Sequence, residues 1–214
     1  MKKQIMRFMA ALLMLYGAAS FGGDFFKNRG GILLRSGYWS MDENDPAILV
    51  RNRGIFDSET RVGGFSGAIT FLSGIGENGA IAFSLGGVAK VHVIEQGIFD
   101  EYVDVKVATP ILVGYQYALF RDRNLSAFQP YATFGGGPYV LSHVVNRSES
   151  CFDDDATVTN KIRPGIYAGT GAYFTISSWF AVHADMRYHL VNMTPENEYS
   201  GFEIGAGLAF FWRR

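Results

Sequence analysis

Apolar residues recur at every second position over long stretches of this chain. Between Ala80 and Ile94 one face reads Ile81, Phe83, Leu85, Gly87, Ala89, Val91 and Val93, and the other Ala80, Ala82, Ser84, Gly86, Val88, Lys90 and His92. From Tyr102 to Leu119, Val103, Val105, Val107, Thr109, Ile111, Val113, Tyr115 and Tyr117 oppose Asp104, Lys106, Ala108, Pro110, Leu112, Gly114 and Gln116. Alternate side chains of a strand point to opposite faces, so this period-2 pattern predicts strands with one apolar face and one small or polar face. Three further segments repeat it. In Arg61 to Ser73, Phe65, Ile69 and Phe71 oppose Gly64, Ser66, Ala68 and Thr70; the others run from Phe180 to Leu190 and from Gly201 to Trp212. Gly31 to Met41, Phe128 to His143 and Ile162 to Ile176 also predict strands, but glycine runs and tyrosines on both faces leave their facing open. The total is eight strands.

The connections alternate in length. Residues 42–60 and 144–161 read as long polar loops, and 191–200 as a medium one; residues 74–79 and Ser177-Ser178 read as tight turns, 95–101 as a short loop and 120–127 as a turn. Long loops at one end and tight turns at the other suit an up-and-down barrel whose strands cross a bilayer.

Alternation alone fits a soluble barrel as well, and Gly37-Tyr38-Trp39 matches the G-x-W of soluble lipid-binding barrels. A soluble barrel, however, turns its charges outward. Here the face opposite the apolar one carries Ala82, Ser84, Gly86, Ala108, Gly114, Gly205 and Gly207, small residues suited to a cramped eight-strand interior. The apolar face ends in Tyr115, Tyr117, Trp179, Phe180, Phe210 and Trp212, which reads as an interfacial aromatic girdle. A β-protein with an apolar outside must close on itself in lipid, because every backbone group needs a partner there. The reading is an all-β fold, an eight-stranded up-and-down antiparallel transmembrane β-barrel. With 26 Gly, 18 Phe, 11 Tyr and only 18% charged residues, the composition agrees.

The N-terminus carries Lys2, Lys3 and Arg7, a nine-residue apolar run from Phe8 to Tyr16, and then Gly17, Ala18, Ala19 and Ser20. This is the pattern of a cleaved signal peptide. Cleavage is expected after Ala19 or Ser20, leaving residues 21–214 as a single barrel domain destined for the outer membrane. Loss of the three cations takes the formal charge from −1 to −4. Neither value suits a nucleic-acid binder, which needs a basic face. A single cysteine, Cys151, excludes an intramolecular disulfide framework.

Several segments resemble the outer-membrane protein β-barrel domain family, the small eight-stranded barrels of OmpA, OmpX and OmpW type. They are the N-terminal export pattern, Thr109-Pro110-Ile111-Leu112-Val113-Gly114-Tyr115-Gln116-Tyr117, Gln129-Pro130-Tyr131-Ala132-Thr133-Phe134-Gly135-Gly136-Gly137, and the final run Gly205-Ala206-Gly207-Leu208-Ala209-Phe210-Phe211-Trp212. The last run looks like the C-terminal signal read by the barrel-assembly machinery, here extended by Arg213-Arg214. The resemblance implies an outer-membrane location, lipid and lipopolysaccharide as surroundings, and assembly by that machinery. It also implies a choice between a structural or surface-interaction role and an OmpW-like narrow channel for small or hydrophobic molecules.

The chemistry lies on the small-residue face. Lys90, His92, Asp104, Lys106, Gln116, His183, Asp185, Arg187, His189 and Glu203 are expected to point inward, where buried charges need partners. Balanced signs suggest a salt-bridge network that plugs the lumen. His189-Leu190-Val191-Asn192 with Glu203 is similar to the His-x-Ser-Asn run of lipid A deacylases, but Val191 stands where the nucleophile would be. The chain is therefore read as a non-enzyme with no catalytic residue, cofactor or metal. Asp153-Asp154-Asp155 reads as a solvated loop run, and loops 42–60 and 144–161 as the surfaces open to an external ligand.

Overall fold

The computed structural model describes residues 24–41, 48–52, 58–96, 100–119, 127–150, 153–193 and 199–213. The export segment and Cys151 lie outside these residues. The strands are β1 (Arg29–Ser40), β2 (Ile48–Asn52), β3 (Ser58–Ile75), β4 (Gly79–Gln96), β5 (Asp100–Ala118), β6 (Phe128–Ser150), β7 (Asp153–Thr175), β8 (Phe180–Val191) and β9 (Gly201–Arg213). All neighbours are antiparallel. The order β1-β9-β8-β7-β6-β5-β4-β3 closes through direct pairing of β1 with β3, Gly30 opposite Ser73 through Tyr38 opposite Phe65. Eight strands make the wall. β2 pairs only with the outer end of β3, as an extra rung above the closure. Among the described residues no helix is long and apolar enough to cross a membrane.

Burial alternates along the inner stretches of the wall strands, and it separates two environments. Outward stand Leu34, Ile69, Phe71, Phe83, Leu85, Val113, Ile166, Met186, Ile204 and Leu208, all exposed. So much exposed apolar surface on a closed wall is the signature of lipid as solvent. Two aromatic rims bound this band. Trp179 stacks on Phe210 at the tight-turn end, where Tyr115 meets Phe134 and Phe128 meets Phe174; Tyr38 packs on Phe65 and Tyr188 on Phe202 at the other. From Phe210 to Phe202 along β9 the band is roughly 20 Å tall once strand tilt is allowed for.

Two glycines shape the wall locally. Gly76, at φ 69° in open space, turns the chain between β3 and β4 over three residues. Gly64, at φ 62°, sits in the β3 bulge between Val62 and Phe65, where a Cβ would collide with the Trp39 carbonyl oxygen.

Several sequence expectations need correction. Residues 144–150 and 153–161 are strand rather than loop: β6 runs to Ser150 and β7 starts at Asp153, paired apart from a register shift between Ser148 and Ser150. Likewise 42–60 contains β2 and the start of β3, and 95–101 shrinks as β4 and β5 extend to Gln96 and from Asp100. The reason is physical. Once a strand leaves the bilayer both its faces meet water, so the apolar alternation that reveals a strand is lost while its backbone pairing continues.

Candidate functional site

The inward face of the barrel is the candidate site, and it is layered. At the tight-turn end the short 3₁₀ turn Asp24–Phe26 folds into the mouth. There Phe26 is buried with Tyr131, Tyr173 and Phe211, and Phe25 stacks on Tyr173 at 5.3 Å. At the outer end Trp39, Met41, Leu112, Tyr139, Leu141, Tyr167 and Tyr199 form a second buried cluster.

Between the two lies a charged layer drawn from β1, β8 and β9. Arg35 Nε donates to Asp185 Oδ1 at 2.6 Å, and its Nη1 pairs with Glu203 Oε1 at 2.5 Å. Arg187 donates to Asp185 Oδ2 through Nη2 at 2.8 Å and Nε at 3.1 Å, and Tyr131 adds its hydroxyl at 3.2 Å. His189 sits between the Trp39 and Tyr167 rings, with Glu203 Oε2 3.0 Å from Nε2 and the Tyr139 hydroxyl 2.9 Å from Nδ1. A neutral imidazole protonated at Nε2 satisfies both contacts. Two cations and two carboxylates balance, and each carboxylate meets at least two donors. This is the condition under which buried charge is tolerable. Tyr173 donates to Gln116 at 2.7 Å, and Thr70 and Ser84 share a 2.7 Å hydrogen bond across β3 and β4.

A cavity of about 20 Å³ lies beside this layer, lined by Arg35, Trp39, Arg187, His189 and Glu203 on one side and Gly67, Gly86, Gly87 and Pro110 on the other. That is room for one water molecule. The wall behind it is interrupted. The β4–β5 ladder passes from Leu85 opposite Ile111 to Val88 opposite Ala108, skipping Gly86 and Gly87. The β5–β6 ladder passes from Pro110 opposite Tyr139 to Val113 opposite Gly136. Pro110 and Pro138 occupy these gaps because neither has an N–H to donate.

The structure sorts the ten sequence-predicted inward residues into three groups. Asp185, Arg187, His189 and Glu203 converge on the charged layer. Gln116 and His183 are buried nearer the 3₁₀ turn, each beside Tyr173. Lys90, His92, Asp104 and Lys106 lie on the inward-facing register beyond the outer aromatic cluster and are only partly buried, with Asp104 bound to His143 at 2.7 Å. They stand farther toward the outer end than the charged layer. Sequence reasoning missed Arg35, Tyr131, Tyr139 and Tyr167, which sit on the three strands whose facing was open. The five girdle residues Tyr115, Tyr117, Trp179, Phe210 and Trp212 all lie at the tight-turn end. The opposite rim of Tyr38, Phe65, Tyr188 and Phe202 was not foreseen. Among the described residues no group of His, Cys, Asp and Glu is placed to hold a metal ion.

No protein-family model matches the chain, and no curated protein matches it. Solved structures do. The outer membrane protein OprG from Pseudomonas aeruginosa is 12% identical, with 90% of this chain and 99% of that one covered at a TM-score of 0.53. The N-terminal β-barrel domain of Pseudomonas aeruginosa OprF is 10% identical over 86% and 98% of the two chains at a TM-score of 0.40. The Ail protein of Yersinia pestis is 12% identical over 86% and 99%, also at 0.40. At such identities the likeness is one of architecture: this chain folds as a closed eight-stranded antiparallel barrel of the kind seen in OprG.

Proposed function

We propose that the chain is an outer-membrane barrel, exported by a cleaved signal at residues 1–20, with a closed lumen and a structural or surface-interaction role rather than an enzymatic one. The observation that carries this is the neutral Arg35–Asp185–Arg187–Glu203–His189 layer, closed off by aromatic clusters on both sides. An ion crossing the lumen would have to break several buried ion pairs. His189 is held by two partners inside the barrel, away from lipid, and Val191 next to it cannot act as a nucleophile. Lipopolysaccharide around the apolar band and the barrel-assembly machinery at the final strand are the partners this reading implies. The test is a planar-bilayer recording on the refolded protein beside an unboiled and boiled gel. The reading expects a heat-modifiable band with no steady conductance; sustained channels would sink the closed lumen, and a soluble protein with no band shift would sink the barrel.

One observation favours a second reading, a narrow conduit of OmpW type for small apolar molecules that opens sideways into the membrane. The cavity is lined by Gly86, Gly87 and Pro110, where the β4–β5 ladder is interrupted, and by Leu112, in the interruption of the β5–β6 ladder. Pro110→Ala would restore one ladder donor. A conduit expects slower uptake of an apolar dye into vesicles with this variant; a closed barrel expects no uptake in either protein.

A further inference from the structure

The Gly37-Tyr38-Trp39 run delivers an indole to the middle of the lumen. Trp39 is 1% exposed, and its ring stacks on His189 with 4.1 Å between centroids. A buried indole N–H ordinarily finds an acceptor. Among the described residues Trp39 Nε1 meets none, and Arg35 Nη2 is buried without one as well. Arg35 commits Nε to Asp185 and Nη1 to Glu203, so Nη2 is the arm of the fork that the ion pairs leave over.

Both side chains line the same cavity of about 20 Å³, together with Glu203. A cavity takes water when it is polar, large enough for one molecule and supplied with two to four partners. Here two N–H groups call for a guest that accepts two hydrogen bonds. Glu203 supplies a matching acceptor. Its Oε1 takes Arg35 Nη1 and its Oε2 faces His189 Nε2 at 3.0 Å, which leaves each oxygen a second lone pair. Charge then decides among guests of this size. With His189 neutral, Arg35 and Arg187 balance Asp185 and Glu203. A halide ion would bring an uncompensated charge into the lumen, whereas water brings none. An apolar guest would leave both N–H groups unpaired.

We propose that this cavity is a hydration site for one internal water molecule, which accepts from Arg35 Nη2 and Trp39 Nε1 and donates to Glu203. Three hydrogen bonds are the usual complement of a buried water. The water joins two layers of the lumen: Trp39 belongs to the outer aromatic cluster, and Arg35 and Glu203 to the charged layer. Small residues on β3 and β4 leave the room for it. A Cβ at Gly86 would stand 3.2 Å from the Gly67 carbonyl oxygen and 3.3 Å from Ala68 Cβ and Pro110 Cγ.

Water itself is the probe. The full-length barrel, with its three tryptophans ¹⁵N-labelled at the indole, is folded in lipid nanodiscs, and cross-relaxation between water and each indole N–H is recorded. Trp39→Phe identifies the Trp39 signal. The expected result is a cross-peak at Trp39 whose sign reverses between laboratory-frame and rotating-frame experiments, which marks a held water rather than proton exchange. Ala68→Val adds two carbons to a side chain lining the cavity, and Gly86→Ala adds one. The first is expected to abolish the cross-peak and the second to weaken it, with the Trp39 signal retained in both. Replacing chloride by bromide, or adding xenon as an apolar guest, is expected to leave the Trp39 signal unmoved. Absence of a sign-reversing cross-peak in the wild type, or one of full strength in both filled variants, would overturn the proposal. So would a bromide-dependent shift, which assigns the site to an anion, or a xenon-dependent one, which assigns it to an apolar guest. A heat-modifiable band in each sample shows that the barrel is folded; where a filled variant fails that check, the wild-type cross-peak and the bromide and xenon arms decide.

Discussion

Replacing Arg35 with leucine is the sharpest perturbation of the charged layer. Its guanidinium bonds Asp185 at 2.6 Å and Glu203 at 2.5 Å, and the side chain is 1% exposed. In Arg35→Leu, Asp185 keeps Arg187 and Glu203 keeps only His189, so a balanced interior becomes one with an unpaired negative charge. Removing one partner of a buried ion pair costs about 3–5 kcal/mol, because the remaining charge stays desolvated. Removing Glu203 as well restores neutrality, since Asp185 and Arg187 remain paired at 2.8 Å. Arg35→Leu/Glu203→Gln should therefore be at least about 1 kcal/mol less destabilised than the sum of the two single variants. Reversible urea unfolding in phospholipid vesicles, followed by tryptophan fluorescence, measures all four proteins of the cycle. A loss below about 1 kcal/mol for Arg35→Leu, or additivity of the two substitutions, would refute the claim that the charges act as one network.

Gly205 packs against the same guanidinium: a Cβ there would lie 2.6 Å from Arg35 Nε and 2.7 Å from Cζ. Gly205→Ala should cost about 1–3 kcal/mol in the same unfolding assay, and much less in the Arg35→Leu background, where the clashing group is gone. Ile69→Arg, on the outward face of β3 within the apolar band, should cost about 2–4 kcal/mol, whereas Val158→Arg on the upper part of β7 should stay within about 0.5 kcal/mol. Equal costs at the two sites would mean that the band does not mark the bilayer.

Much of this architecture is legible in the residue pattern, because a strand between lipid and a crowded lumen must alternate. Phe83, Leu85 and Val113 outside against Ala82, Ser84 and Gly114 inside are enough to orient β4 and β5. The pattern fails where that contrast weakens. Tyrosine serves both environments: Tyr115 and Tyr117 stand in the lipid-facing rim at the tight-turn end, while Tyr131, Tyr139, Tyr167 and Tyr173 fill the lumen and turn their hydroxyls to Asp185, His189, Thr133 and Gln116. Arg35 is hidden for a related reason. It lies in a strand that mixes glycine, leucine, serine and aromatics, and only its pairing with β8 and β9 side chains reveals its carboxylate partners. The outer halves of β6 and β7 are rich in Asn, Ser, Thr and Asp, which read as loop residues, yet their ladder runs almost to the tip.

The central claim is that the apolar face of the wall meets lipid while the polar face is sealed inside. Nitroxide labels placed singly at Ile69→Cys, Thr70→Cys and Val158→Cys in a Cys151→Ser background, in reconstituted vesicles, test it directly. Collision rates with oxygen, which concentrates in the bilayer, and with a water-soluble nickel complex report each environment. The account expects high oxygen and low nickel access at position 69, low access to both at position 70, and high nickel access at position 158. A nickel-accessible label at position 69, or an oxygen-accessible one at position 70 with position 69 shielded, would contradict it.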